Sequence, residues 1–116
     1  MESIRIRPLI YILSLENSKY YVGITYNLNM RLAQHQGGQG AIWTKIHKPR
    51  RILKVIQAKT KEDEVLHTLL MMEKYGYENV RGACWCKSEV ANNPLENEKY
   101  ANIISTYNKD NEDKED

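Results

Sequence analysis

The chain has 116 residues, of which 41% are hydrophobic and 28% are charged, and its formal net charge is +2. These values fit one folded domain and argue against wholesale disorder, a collagen-like chain or a coiled coil. No apolar run is long enough to cross a membrane and no basic segment precedes an apolar one, so we expect neither a membrane span nor a secretory signal.

Cys84 and Cys86 are the only two cysteines. A single Cys-x-Cys pair without a second ligand pair forms neither a disulfide framework nor a standard zinc site. A weak metal site with His67 would need all three side chains to meet in space. We therefore expect a reduced, intracellular setting, in the cytoplasm or the nucleus.

Two apolar segments near the N-terminus predict a β-hairpin. Residues 9–15 and 20–25 are rich in β-branched and aromatic residues, and turn-forming residues 16–19 separate them. A three-residue loop, Asn17-Ser18-Lys19, or a bulge places Tyr11 and Tyr21 on one face of the sheet, whereas a loop of two or four residues places them on opposite faces. We expect them to share a face.

Helical and strand signals alternate after the hairpin. Asn27 can cap a short helix that ends near Gln36. A glycine-rich loop over residues 37–44 then leads to a third strand over residues 52–56.

Two further helices are predicted in the second half of the chain. Thr60 and Asp63 resemble a capping box, and apolar residues at helical spacing then continue to Tyr75, before Gly76. The run Asn92-Asn93-Pro94 opens another helix that reaches beyond Ile104.

The order β-β-α-β-α with a helical tail predicts an α+β fold, with a small three-stranded antiparallel sheet flanked by helices. We divide the chain into a domain over residues 1–88, a helical extension over residues 89–107 and an acidic tail over residues 108–116. Five of the last seven residues are acidic, and we expect this tail to be disordered.

The small net charge conceals a long basic stretch. Residues 17–61 contain nine Lys or Arg residues and no Asp or Glu. A stretch of one charge favours a polyanion, because each neutralised phosphate releases condensed counterions, and nucleic acid is the leading candidate. The alternative is a solvated basic face. Phosphate contacts are predicted for Lys45, Lys48, Arg50, Arg51 and Lys54.

Four side chains stand out by their joint order. Tyr11 or Tyr21 alone is typical of half-buried sheet packing. Arg31 and His35 are four residues apart and share a helix face. A glycine follows Tyr21-Val22 directly, and Arg31 lies ten residues beyond Tyr21. It is this combination, and no single residue, that suggests a site.

In these residues the chain resembles the GIY-YIG nuclease family. The first motif corresponds to Leu9-Ile10-Tyr11 and the second to Tyr21-Val22-Gly23, and the pattern continues through Thr25, Asn27, Leu28, Arg31 and His35. The loop from His35 to Thr44 and the pair Lys48-Pro49 are similar to those of small single-domain members. The resemblance covers about residues 8–83 and implies metal-dependent hydrolysis of a nucleic-acid phosphodiester, with DNA the expected substrate.

The resemblance also implies roles for these residues. Tyr21 or Tyr11 would position or deprotonate the attacking water. Arg31 would stabilise the charge on the scissile phosphate, and His35 stands where the family has a Tyr or His that assists the general base. A Mg²⁺ or Mn²⁺ ion, held by one carboxylate and the substrate, would bind the leaving oxygen.

The metal-binding carboxylate is the point at which this sequence departs from the family. Counted without gaps, the position of the family's Glu falls on Thr68, a poor ligand for a lone hard cation. Glu64 lies one helical turn earlier on the same face and is the expected metal ligand, with Glu73 as the fallback. Alternatively, Glu62, Asp63 and Glu64 only favour the helix N-terminus through its dipole.

Two functions from different classes therefore remain, a small nuclease and a nucleic-acid-binding module with a degraded metal site. A protein-interaction domain is a third class that gains little from the paired tyrosines. Asn79 lies near the position of a family asparagine, but a turn explains it equally well. One small domain leaves no room for a recognition module, so we expect a homodimer or a targeting partner, and no membrane.

Overall fold

The computed structural model describes residues 6–112. The strands in this part of the chain are β1 (Leu9–Leu15), β2 (Lys19–Thr25), β3 (Pro49–Gln57) and β4 (Val80–Gly82). The helices are α1 (Leu28–Gln36), α2 (Ile42–Ile46), α3 (Glu62–Tyr75) and α4 (Glu98–Glu112). Within these residues, no helix combines the length and apolar character that crossing a membrane requires.

The fold is α+β, but the sheet has four strands and is mixed, so the prediction of three antiparallel strands is wrong. The strand order is β3-β1-β2-β4; β1 pairs antiparallel with β2 and β3, whereas β4 pairs parallel with β2. Strand β4 has only three residues, too few to show a periodic pattern. Its pairing depends on α3, which carries the chain back across the sheet before β4 begins.

The hairpin register places the two motif tyrosines together. Leu15 pairs with Lys19, so the loop is Glu16–Ser18, three residues long and one residue earlier than expected. Leu13 is directly opposite Tyr21, and Tyr11 is two residues from Leu13. Because alternate residues share a face, Tyr11 and Tyr21 project from the same side, which confirms the prediction.

Two of the predicted helices have the expected ends. The side chain of Asn27 accepts a hydrogen bond from the backbone N–H of Met30 and caps α1, which ends at Gln36. Helix α3 ends at Tyr75, before Gly76 with a φ of 92°. One carboxylate oxygen of Asp63 accepts the N–H groups of Lys59 and Thr60 at 2.7 and 3.3 Å. Of the two hydrogen bonds that define a capping box, the structure therefore has the one from the Thr60 N–H to the Asp63 carboxylate.

Helices α2 and α4 differ from the prediction. The last three residues of the predicted glycine-rich loop, 42–44, and the two that follow form α2. This helix is too short to show a helical repeat and is held by buried Trp43, whose indole N–H donates to the Tyr20 carbonyl at 3.0 Å. Helix α4 begins at Glu98 after a single 3-10 turn, Pro94–Glu96. It continues through Glu112, so residues 108–112 are helical, because an established helix extends readily into polar residues. The rest of the predicted acidic tail, residues 113–116, lies outside the described residues.

Each face of the sheet has its own apolar cluster, whereas most residues of the edge strand β3 are exposed. One cluster joins β1 and β2 to α3 and α4; it includes Ile10, Ile12, Val22, Leu69, Met72 and Ile104. The other lies under α1 and α2 and consists of Tyr11, Leu13, Leu15, Tyr21 and Trp43, with Leu28, Leu32 and Ala41 against it. The motif tyrosines therefore belong to the α1 and α2 side.

Gly82 is a point of close approach between β4 and α3. Its φ is +156°, and a Cβ atom there would lie 2.4 Å from the Val22 carbonyl oxygen and 2.8 Å from Thr68 Oγ1. Thr68 is fully buried, and its hydroxyl donates to the Glu64 carbonyl at 2.7 Å. The missing side chain of Gly82 thus fixes how closely α3, and Glu64 with it, packs against the sheet.

We expect Gly82→Ala to lower the free energy of unfolding by roughly 2–3 kcal/mol, because the added methyl group overlaps backbone and forces a disfavoured φ. Ala83→Gly is the matched control, since Ala83 has a φ of 50°, which glycine adopts without strain. Chemical denaturation of both variants measures the effect. Equal stability of Gly82→Ala and the wild type would contradict the close packing.

Candidate active site

Tyr11 lies across a glycine of the neighbouring strand. Gly23 is opposite Tyr11 in the register, and a Cβ atom at that position would be 2.3 Å from the Tyr11 hydroxyl and ring. The side chain of Tyr11 is 0% exposed and that of Tyr21 is 9% exposed, with 6.2 Å between the ring centroids. Gly23 therefore leaves the space that the Tyr11 ring occupies.

His35 joins the phenol of Tyr11 to a hydroxyl on α2. Its Nε2 atom is 2.7 Å from the Tyr11 hydroxyl, and its Nδ1 atom is 2.9 Å from Thr44 Oγ1. Gly40 lies against the ring, where a Cβ atom would be 2.2 Å from Nδ1. Burial, and secondarily the charge of Arg31, lowers the pKa of His35 to about 4. The imidazole is therefore neutral at neutral pH.

Arg31 lies beside both phenols. Burial raises the pKa of Tyr11 and of Tyr21 above the usual value, while the charge of Arg31 and its hydrogen bonding lower both. The guanidinium also donates to the side-chain oxygen of Gln34 at 2.9 Å. Since Arg31 is only half-buried, it forms the solvent side of this part of the site.

Glu64, in the first turn of α3, provides the carboxylate. Burial raises its pKa, and a hydrogen bond from the Ala83 backbone N–H and the charge of Arg31 lower it. The charge of Glu64 in turn raises the pKa of both tyrosines. In the described chain β2 pairs with β4 only as far as Val22, and Glu64 lines a cavity of about 100 Å³ with Ile24, Thr25 and Tyr26 beyond that point. The early end of β4 thus opens the sheet edge to this carboxylate.

The other carboxylate positions do not join the site. Thr68 is fully buried against Gly82, where a longer acidic side chain would have no room. Glu73 is exposed and nine residues further along α3, about 13 Å along the helix axis. Asp63 caps the backbone before α3, so the dipole and capping interpretation fits Asp63, whereas Glu64 faces the charge of Arg31.

Glu64 is the residue that fits a hard cation. Mg²⁺ is commonly held by one or two carboxylates together with water and substrate phosphate oxygens, and a single carboxylate beside an arginine suits that mode. In residues 6–112, no group of three or more His, Cys, Asp or Glu side chains is arranged to hold a metal ion. Cys84 and Cys86 are exposed free thiols, so the described residues do not support the weak site with His67.

The five predicted phosphate-binding residues are all exposed and lie on α2, on β3 or between them. Arg51 lines a groove of about 160 Å³ that reaches His35 between α1 and β3. Lys54 pairs with Ile12, whose side chain faces α3. Burial, and secondarily the charge of Lys54, lowers the pKa of His67 on that helix. The edge strand β3 therefore carries exposed positive charge at Arg50, Arg51 and Lys54.

Three residues at or near the site were missed by sequence reasoning as functional or supporting groups. Thr44 falls in the predicted loop over residues 37–44, and Ala83 contributes through its backbone N–H. Arg81 is 3% exposed and donates to the carbonyl oxygens of Tyr77, Val80, Lys87 and Ser88, with its guanidinium 4.4 Å from the Trp43 ring centroid. Spacing along the sequence does not predict the contacts of these residues, because each contact depends on where a loop or short element folds.

Asn79 has a structural role. Its side-chain oxygen accepts a hydrogen bond from Lys19 Nζ at 2.7 Å, and its side-chain nitrogen donates to the Tyr75 carbonyl at 2.7 Å. The bond to Tyr75 closes the connection between α3 and β4, and the bond from Lys19 ties this connection to the start of β2. The interpretation as a turn residue therefore accounts for Asn79.

The chain belongs to the GIY-YIG catalytic domain family, a family of nucleases, because the family model matches residues 7–113. It is 43% identical over 44 residues to a UPF0213 protein of Cupriavidus pinatubonensis, an alignment that covers 38% of this chain and 49% of that protein. It is 45% identical over 40 residues to a UPF0213 protein of Neisseria meningitidis serogroup A, an alignment that covers 34% of this chain and 44% of that protein. It is 29% identical over 68 residues to a UPF0213 protein of Streptococcus pneumoniae, an alignment that covers 59% of this chain and 69% of that protein. The chain spans about half the length of the first two relatives, and no solved structure matches it.

We expect His35 to make folding pH-dependent. Its pKa of about 4 in the folded chain is below the unfolded value of 6.5, so the unfolded state binds the proton more readily as the pH falls. The free energy of unfolding should therefore drop by about 2 kcal/mol from about pH 7 to about pH 5 through this group alone. Urea denaturation of the wild type and of His35→Gln measures it, and an identical pH dependence in the two proteins would contradict the assignment.

Proposed function

We propose that the chain is a metal-dependent endonuclease that hydrolyses phosphodiester bonds of nucleic acid, with DNA the expected substrate. The observation that carries the proposal is the convergence of two phenols, a guanidinium, a neutral imidazole and a carboxylate. These groups are Tyr11, Tyr21, Arg31, His35 and Glu64. Family membership supports the nuclease class, and the metal, the substrate and the roles of the residues are our proposal.

The two tyrosines have different tasks in this proposal. Tyr21 is the more exposed phenol and orients the attacking water. Tyr11 takes a proton from that water while its own proton passes to His35 Nε2, 2.7 Å away. Because the low pKa of His35 and the raised pKa of Tyr11 keep the proton on the phenol at rest, both transfers accompany the attack on phosphorus, and no free phenolate forms beforehand.

Arg31 has two roles in this proposal: it controls the access of water to the Tyr11 hydroxyl, and it stabilises the negative charge of the transition state. Tyr11 is fully buried, so its neighbours must move before water reaches its hydroxyl. In this proposal Arg31 is the neighbour that turns, from the phenols towards the scissile phosphate. In that position the guanidinium stabilises the additional negative charge of the transition state. The oxygen that leaves phosphorus then takes up a proton from solvent.

Glu64 would hold the cation, oriented by the hydrogen bond from the Ala83 N–H. Mg²⁺ or Mn²⁺ bound there supplies Lewis acid chemistry at the phosphate and at the leaving oxygen. Ionised Glu64 is required for this, and the positive charge of Arg31 favours that form.

Positive charge on the exposed side chains supports a nucleic-acid partner. Lys45, Lys48, Arg50, Arg51 and Lys54 are all exposed, and residues 17–61 hold no acid that could offset them. The groove between Arg51 and His35 gives a backbone phosphate a path towards the site. A homodimer or a targeting partner remains our expectation for selecting the substrate.

The second candidate is a nucleic-acid-binding module that no longer cuts. Thr68 at the ungapped position of the family's Glu and the burial that raises the pKa of Glu64 favour it. The two functions differ in one observable, which is cleavage in the presence of a divalent metal.

We expect Arg31→Ala to reduce cleavage at least about a hundredfold, because it removes the cation aimed at the phosphate. We expect Glu64→Gln to abolish cleavage without loss of DNA binding, because the amide cannot replace the charged oxygen that a hard cation prefers. Cleavage by both variants is measured as nicking of supercoiled plasmid and of branched DNA in Mg²⁺ or Mn²⁺. DNA binding is measured with the same DNA in the presence of a chelator.

Glu73→Gln is the matched control for Glu64→Gln, since Glu73 is an exposed carboxylate on the same helix and its loss should leave cleavage unchanged. Cleavage by Glu64→Gln at the wild-type rate would contradict the carboxylate assignment. A wild type that binds DNA and cuts nothing in any divalent metal would favour the binding module.

We expect the binding constant for duplex DNA to fall with salt, with a slope of roughly −3 to −4 in a double-logarithmic plot if about four phosphates are contacted. Replacing Arg51 with Ala should reduce the magnitude of the slope by about one. Lys109→Ala, on α4 and outside the basic stretch, is the control. Fluorescence anisotropy across a salt series measures the slope, and a slope near zero would count against a nucleic-acid partner.

A further inference from the structure

A four-membered hydrogen-bonded chain runs from the catalytic phenol to the backbone of the loop before α2. It begins at the Tyr11 hydroxyl, passes through both nitrogens of His35 and the hydroxyl of Thr44, and ends at the Ala41 carbonyl oxygen. The distances along it are 2.7, 2.9 and 2.9 Å. The residue exposures of Tyr11, His35 and Thr44 are 0%, 1% and 1%, so water does not compete for these groups.

The groups at the two ends determine which partner donates the proton in each of these hydrogen bonds. The Ala41 carbonyl can only accept, so the Thr44 hydroxyl donates to it and offers its oxygen lone pairs to His35 Nδ1. At the other end, the Arg31 guanidinium beside Tyr11 can only donate, which leaves His35 Nε2 as the acceptor for the phenol proton. Both ends therefore require a proton on Nδ1 and a free lone pair on Nε2.

We propose that Thr44 is a positioning residue that fixes the Nδ1–H tautomer of His35, so that Nε2 is free to receive the proton of Tyr11. This inference rests on the proposed nuclease function for its effect on rate, but not for the tautomer itself. The proton step is balanced, because the O–H bond of Tyr11 breaks, an N–H bond forms at Nε2 and the phenol oxygen takes up the proton of the attacking water.

The fold around Thr44 holds its hydroxyl in place. Thr44 lies on α2 next to buried Trp43, whose indole N–H is bonded to the Tyr20 carbonyl and whose ring lies under Arg81. Gly40, which precedes α2, allows the loop to pass directly over the imidazole. Helix α2 thus places the Thr44 hydroxyl beside His35 Nδ1, and Trp43 anchors the helix to the sheet.

The test uses Thr44→Val, which keeps the shape of the side chain and removes the hydroxyl, and Thr44→Ser, which keeps the hydroxyl. Nitrogen chemical shifts of the His35 ring report the tautomer without any substrate. We expect the Nδ1–H form in the wild type and in Thr44→Ser, and its loss in Thr44→Val. Cleavage in Mg²⁺ should fall by about a hundredfold in Thr44→Val and be largely retained in Thr44→Ser.

Thr106→Val, on the exposed surface of α4, controls for the substitution itself, and thermal melts of each variant report folding. The Nε2–H tautomer in the wild type would overturn the proposal, and so would a Thr44→Val protein that cuts as fast as the wild type. If Thr44→Val does not fold, the ring shifts of the wild type and of Thr44→Ser still decide the tautomer. The Nδ1–H tautomer in a wild type that never cuts would support the positioning role and overturn only the proposed nuclease function.

Discussion

The buried hydroxyl of Tyr11 is the constraint on which the site depends. A buried hydroxyl without a partner costs a few kcal/mol, and the neighbouring guanidinium cannot accept its proton. His35 Nε2 therefore has to lie within hydrogen-bond distance, which sets the position of α1 over the sheet. The phenol ring also needs the space that Gly23 leaves, and the imidazole needs the space that Gly40 leaves. One polar group thus accounts for two glycines, a histidine and the packing of α1 and α2.

The hydrogen-bonded groups at Tyr11 and the carboxylate of Glu64 come from opposite faces of the sheet and approach each other at its edge. Tyr11, Tyr21, Arg31 and His35 belong to the face covered by α1 and α2, whereas Glu64 comes from α3 on the other face. A three-residue β4 stops before it covers the end of β2, and the turn that follows supplies the Ala83 N–H to Glu64. The imidazole that accepts the Tyr11 proton and the carboxylate of Glu64 therefore approach the site from opposite faces of the sheet.

Sequence reasoning succeeded where the signal is local. The hairpin, the Asn27 cap and the end of α3 at Tyr75 follow from residue preferences within a few positions, and the shared face of the two tyrosines follows from loop length. It failed for α2 and β4, because elements of five and three residues carry no period and form only through distant partners such as Trp43 with Tyr20. The ambiguity between Glu64 and Thr68 depended on how closely α3 approaches Gly82, and that distance cannot be inferred from spacing along the chain.

Removal of the Tyr11 hydroxyl tests the central claim most directly, because Tyr11→Phe keeps the buried ring and deletes only the group that begins the proton chain. The measurement is the single-turnover rate of cleavage of end-labelled branched DNA in Mg²⁺ by wild type and variant, with thermal melts to verify folding. The account predicts cleavage by the wild type that a chelator abolishes, and a rate at least about a hundredfold lower for Tyr11→Phe. A folded Tyr11→Phe protein that cuts at the wild-type rate would contradict it.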